Sequence, residues 1–249
     1  MHVEALGASL VIEVEDPRLR ALAQRAWSAC QTSPVENAVV VRAPSVRADA
    51  EPREIAAALQ ELTQLVTREA ITARAGQLTM FHAGALCDRS SGAAIAMVAP
   101  GGTGKTTVVR TLGPGRGYVS DETVGVAADL TIATYCKPLS VRRPDTPELK
   151  DELAPEELGL SAPTVRPWLA GMVLLRRDLP RGADVVIEPV DVLDALALLA
   201  PETSSLSLFE RPLHHLADLL DSVGGLRRVR YHDAADLEPV VSDVLGRTR

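Results

Sequence analysis

The residues with the most specific chemical spacing are Ala99, Pro100, Gly101, Gly102, Thr103, Gly104, Lys105 and Thr106, which follow directly on the apolar run Ala93–Val98. At this spacing a glycine-rich backbone can turn its N–H groups inward around a β-phosphate, and a lysine can reach the β and γ oxygens. Lys105 stands at the lysine position, and the Thr106 hydroxyl stands where Mg²⁺ would sit. Thr107 opens a helix-like stretch to Leu112, whose N-terminus adds unpaired N–H groups and the positive end of a dipole. Pro100 through Thr107 therefore read as the phosphate seat of a nucleotide. Ala99 replaces the first glycine of the strict pattern, which is the mildest change at that place. Only three lysines occur among the 26 Lys and Arg residues, so the compact ammonium of Lys105 stands out.

Bound phosphate does nothing until a metal is positioned and a proton is handled. Asp121 and Glu122, after Gly117-Tyr118-Val119-Ser120, are the nearest downstream carboxylates. A strand ending there could deliver both to the phosphate. One would hold Mg²⁺ beside Thr106, and the other would accept a proton from an attacking hydroxyl or water. His82 precedes the loop, on the strand before the loop's own, and could reach the same end. Asp178 follows an apolar run at 172–175, but Arg176 and Arg177 push it past the strand end and favour a surface turn. His214 and His215 are adjacent on a helix-like segment and point different ways, so no metal site is read there.

The elements that must position these groups are legible from pattern. Residues 9–14 and 38–41 read as strands. Residues 17–30 read as a helix capped by Asp16, and 52–74 as a long amphipathic helix. From Leu78 the pattern becomes strand-rich, with strands at 78–88, 93–98, 117–120, 123–127, 130–135, 139–141, 171–175, 185–189 and 226–231. Helices are expected at 107–112, 190–199, 212–221 and 234–245. Residues 142–168, rich in proline and charge, read as a long mobile connection with room for one helical turn, which could cover the site. The division is placed between an N-terminal α/β portion, 1–75, and a phosphate-loop domain, 76–249.

Composition narrows the class. A net charge of −7 with no basic block argues against a nucleic-acid surface, and 3% aromatic residues leave little for base stacking. Three widely spaced cysteines (Cys30, Cys87, Cys136) without a CxxC pair favour neither a disulfide framework nor a zinc site. With no signal peptide and no apolar run long enough to cross a bilayer, the expectation is a soluble cytoplasmic protein without a membrane partner.

The order His82 and Gly84, phosphate loop, helix, then Ser120-Asp121-Glu122 resembles the HPr kinase/phosphorylase catalytic domain and its smaller bacterial relatives. The likeness covers about residues 78–127, with weaker echoes at Lys137-Pro138-Leu139, Leu174 to Asp178 and Tyr231-His232-Asp233. It implies an α/β phosphate-loop fold of the HPr kinase and phosphoenolpyruvate carboxykinase type, with the small N-terminal α/β portion added. It also implies Mg²⁺-dependent transfer of phosphate from ATP, or GTP, to a hydroxyl. On matching positions Asp121 would be the general base, Glu122 a Mg²⁺ ligand, and His82 a phosphate contact, with Lys105 stabilising the transferred group. The Arg-Gly-rich signature that follows the acidic pair in the full-length enzyme is not present. The expected acceptor is therefore a hydroxyl of a peptide, another protein or a small molecule rather than HPr. A non-catalytic nucleotide-binding regulator and a partner-coupled ATPase, either of them in a peptide-modification pathway, are the competing expectations, and a homo-oligomer is left open.

Overall fold

A computed structural model describes residues 1–143 and 149–249 of the chain, a mixed α/β protein. By contact it forms two compact units: Met1–Arg74 with Tyr135–Gly159, and Ala75–Thr134 with Leu160–Arg249.

The first unit opens with a hairpin of β1 (His2–Ala5) and β2 (Ala8–Glu13). Its two-residue loop holds Leu6 and Gly7 at φ of 54° and 71°, the pair of positive values that a type I′ turn requires. Helix α1 (Pro17–Ala26) starts as expected: the Asp16 carboxylate accepts from the Arg18 and Leu19 amides, and proline fills the first turn. The chain crosses over α1 to place β3 (Val39–Arg42) parallel to β2. Helix α2 (Pro52–Arg74) then buries Ile55, Leu59, Leu62 and Val66 along one stripe.

The second unit is built on one large sheet. Strands β4 (Thr79–Cys87) and β5 (Ala93–Val98) form an antiparallel hairpin, followed by α3 (Lys105–Leu112), β6 (Gly117–Ser120), β7 (Thr123–Val126) and β8 (Ile132–Ala133). The chain next contributes β9 (Leu139–Arg142) and β10 (Lys150–Leu153) to the first unit, paired antiparallel. It resumes the second unit with β11 (Trp168–Arg176), β12 (Val186–Pro189), α4 (Val192–Leu199), β13 (Thr203–Ser204), α5 (Pro212–Ser222), β14 (Leu226–Arg230) and α6 (Glu238–Leu245).

Three expectations are corrected. Residues 142–168 are not one long connection: 150–153 are strand, Pro155–Leu158 a 3₁₀ turn, and Trp168 already begins β11. Serine and charge pairing across β9 and β10, Ser140 to Glu152 and Arg143 to Asp151, conceals the strand from hydrophobic patterning. Residues 144–148 of that stretch lie outside the described residues. The helix expected at 234–245 is a 3₁₀ turn (Ala234–Leu237) leading into α6, with the break beside Pro239, which has no N–H to continue the ladder. A boundary drawn along the sequence at residue 75 also leaves out the return of 135–159 to the first unit.

The sheet order is β12-β14-β11-β5-β4-β7-β8, with β6 and β13 also pairing to β4. β5 lies centrally, parallel to β11 and antiparallel to β4. All six of its residues are buried, which explains a continuous apolar run rather than alternation. One face carries the core of Phe81, Ala83, Ala96, Met172 and Leu174 against Leu199, Leu216 and Leu220. The other face receives α3 and α6, and glycine sets how closely they approach. A Cβ on Gly84 would lie 2.9 Å from Val109 Cγ2, and one on Gly171 would lie 2.9 Å from Val244 Cγ1.

Candidate functional site

The glycine-rich segment leaves the carboxyl end of β5 and enters α3 at Lys105, the strand–loop–helix arrangement that its spacing requires. Gly102 and Gly104 take φ of 81° and 101°, values that side-chain-bearing residues avoid. Gly104 is the N-cap and supplies no capping side chain. The first-turn amides of α3 are therefore left for an anion instead of being closed by a serine or aspartate. Pro100, Gly101 and Gly102 are exposed, Thr103 and Gly104 are half-buried, and Thr107 is exposed. The Thr103 hydroxyl donates to the Pro100 carbonyl at 2.9 Å and braces the loop from inside.

Lys105 is buried, with Nζ donating to the Ala99 carbonyl at 2.5 Å and to that of Pro100 at 3.3 Å. Burial lowers its pKa to about 8, although the negative charges of Glu202, Glu122 and Asp121 oppose the shift.

The acidic pair sits at a break in a strand. β6 and β7 both pair with β4, β6 opposite Ala85–Cys87 and β7 opposite Thr79–His82. The register skips Val119, a bulge that re-aims the chain just before the carboxylates. Ser120 Oγ accepts from the Glu122 and Thr123 amides, and the Ala83 amide closes the turn on the Glu122 carbonyl at 3.0 Å. Asp121 is buried, and both its oxygens are engaged. Oδ2 accepts from Thr106 Oγ1 at 2.8 Å, and Oδ1 from the Tyr118 hydroxyl at 3.0 Å.

No protein-family model matches this sequence, and no curated protein matches it.

Half-buried His82 belongs to the same cluster. Burial first, and then the Lys105 charge, lower its pKa, opposed by Glu122, Glu202 and a hydrogen bond to the Glu122 backbone. A neutral imidazole at physiological pH is the consequence. Lys105, Thr106, Asp121, Glu122 and His82 thus converge at the N-terminus of α3. Asp178 does not join them, because it is an exposed ion-pair partner of Arg230 at 3.0 Å. His215 is held by Thr79 at 2.6 Å and stacks on Phe209.

Two contributors carry no signal in the sequence. Glu202 acts electrostatically on both Lys105 and His82, and it arrives because β13 pairs Thr203 with Phe81. Tyr118 reaches Asp121 from the far side of the bulge. Among the described residues no cluster of three or more metal-ligating side chains occurs. Thr106 and Asp121 still offer two adjacent hard oxygens, the donor set for a Mg²⁺ ion whose other ligands are water and substrate phosphate. No helix among the described residues is long and apolar enough to cross a membrane.

Proposed function

We propose that the second unit binds a nucleoside triphosphate with Mg²⁺ and transfers its γ-phosphoryl group to a hydroxyl, as an HPr kinase-like phosphate-loop enzyme. The observation that carries this reading is the Thr106–Asp121 hydrogen bond beside Lys105 at the open N-terminus of α3. An antiparallel strand bearing His82 next to the loop's own strand supports the same family likeness, because an all-parallel doubly wound sheet would not contain it.

The contacts favour an exchange of the two carboxylate roles that the resemblance implies. Asp121, bonded to Thr106, belongs to the metal seat, and Glu122 belongs to the acceptor side with His82. When bound, Mg²⁺ neutralises charge on the β and γ oxygens. Lys105 and the α3 amides hold the phosphates and stabilise the charge that develops during transfer. Glu122 takes the proton of the acceptor hydroxyl as its oxygen bonds to the γ-phosphorus. The bond from the γ-phosphorus to the bridging oxygen breaks, and a nucleoside diphosphate leaves. The acceptor is a hydroxyl of a peptide, a protein or a small molecule.

The test is transfer from γ-labelled ATP or GTP to pooled serine, threonine and tyrosine peptides and polyols. Label on an acceptor, lost in Glu122→Gln, is the expected result. Label appearing only as free phosphate would make the protein an ATPase. Nucleotide left intact over hours would make it a binding module.

A further inference from the structure

A second concavity adjoins the phosphate loop on its outer side. This cleft of about 270 Å³ is lined by Thr103 and Gly104 of the loop, by Thr107, Val108 and Thr111 of α3, and by Arg177, Tyr231 and Asp233 to Ala235 across from them. It lies just past the carboxyl ends of the parallel strands β11 and β14, where open α/β sheets hold ligands. Its volume is just below the ~300–1,000 Å³ usual for whole-ligand pockets, which suits a fragment of a nucleotide rather than all of it.

The far wall is built rather than incidental. The backbone pairing of β11 and β14 continues beyond both strands, with the Tyr231 amide on the Arg176 carbonyl at 3.0 Å and the Leu179 amide on the Tyr231 carbonyl at 3.4 Å, and the side-chain Nδ1 of His232 lies 2.9 Å from the Leu179 carbonyl. Arg177 Nε donates to the His232 carbonyl at 2.8 Å, which fixes the guanidinium, and Arg177 forms no ion pair among the described residues. A fixed, unpaired guanidinium plane is a stacking surface for a flat aromatic heterocycle. Tyr231 is only 1% exposed, and its buried hydroxyl has no hydrogen-bond partner among the described residues, a deficiency that folded proteins rarely leave unanswered. On the near wall, Thr107 and Thr111 are one helical turn apart, and both line the cleft.

We infer that this cleft seats the nucleoside of the bound nucleotide, with the base against Arg177, Val108 and Ala235 and the ribose beside Thr107 and Thr111. The inference rests on the phosphate-loop reading and adds to it a base-binding wall that pyrophosphate alone would not use.

The experiment is titration of ADP, GDP and inorganic pyrophosphate, each with Mg²⁺, into the wild type and Thr111→Trp, whose exposed position lets an indole fill the cleft. In the wild type, ADP or GDP should bind at least about ten-fold more tightly than pyrophosphate. In Thr111→Trp that advantage should vanish while pyrophosphate affinity stays within about two-fold. Arg177→Ala, a smaller change, should reduce the advantage without touching pyrophosphate. Nucleotides no tighter than pyrophosphate in the wild type, or an advantage that survives in Thr111→Trp, would overturn the seat and leave the phosphate loop standing. Failure of all three ligands to bind the wild type would overturn both.

Discussion

Thr106 donates its hydroxyl hydrogen bond to Asp121 Oδ2 across 2.8 Å, joining the first turn of α3 to the break between β6 and β7. Two residues far apart in purpose along the chain thus form one oxygen pair next to Lys105. Thr106→Ala and Asp121→Asn should each lower Mg²⁺-dependent nucleotide affinity by about 10–100-fold, the range typical of groups that orient a metal. Because they act as one unit, the double variant should lose little more than either single variant. Additive losses in calorimetric titrations would show that the two act separately.

Glu122 has the proton-transfer role in this account, so its loss should separate chemistry from binding. Glu122→Gln should keep nucleotide affinity within about two-fold and slow phosphoryl transfer by about 10²–10⁴. A variant that transfers at the wild-type rate would return the base role to Asp121 or His82.

The strand–loop–helix segment was legible in the sequence because glycine at positive φ, a lysine and an apolar strand are local signals, and Gly102, Gly104, Lys105 and β5 carry them in one short stretch. The carboxylates were legible as a pair, but the different surroundings of the two were not. The seating of Asp121 depends on the Val119 bulge and on Tyr118, which only the pairing with β4 reveals. Glu202 enters through the pairing of β13 with β4, a contact far apart in the sequence that no spacing rule anticipates. Strand β10 and its pairing with β9 escaped for the opposite reason. Its polar cross-strand pairs look like loop when read by hydrophobicity alone.

Lys105 gives the site a proton signature. Burial holds its pKa at about 8 against an ordinary 10.5, and bound phosphates should restore the charge. Pyrophosphate binding near pH 8.5 should therefore take up roughly half to three-quarters of a proton, read from the dependence of the binding enthalpy on buffer ionisation. Without ligand, the unfolded chain keeps this proton between about pH 8 and 10.5 whereas the folded protein has lost it, so stability gains with rising pH across that window. Lys105→Met should be more stable than the wild type near neutral pH by roughly 1–3 kcal/mol, with the gap closing as pH rises through the window. A gap that does not change with pH would contradict the assignment.

Gly84 sets the distance between β4 and α3. Gly84→Ala puts a methyl 2.9 Å from Val109 Cγ2, which should cost about 1–3 kcal/mol in denaturant unfolding. Displacement of α3 should also weaken nucleotide binding. Full affinity in the destabilised variant would show that the loop tolerates movement of its helix.

His82 titrates below its usual 6.5, chiefly because of burial, so an acid limb of the transfer rate that depends on it should lie under that value. His82→Gln should remove this limb. An unchanged profile would place the titrating group elsewhere.

The phosphate seat itself is tested most directly by calorimetric titration of Mg²⁺-ATP and Mg²⁺-GTP into the wild type and Lys105→Ala. The account predicts saturable one-to-one binding of at least one nucleotide to the wild type and a loss of about 100-fold or more in the variant. Equal binding by both proteins, or none by the wild type, would contradict it.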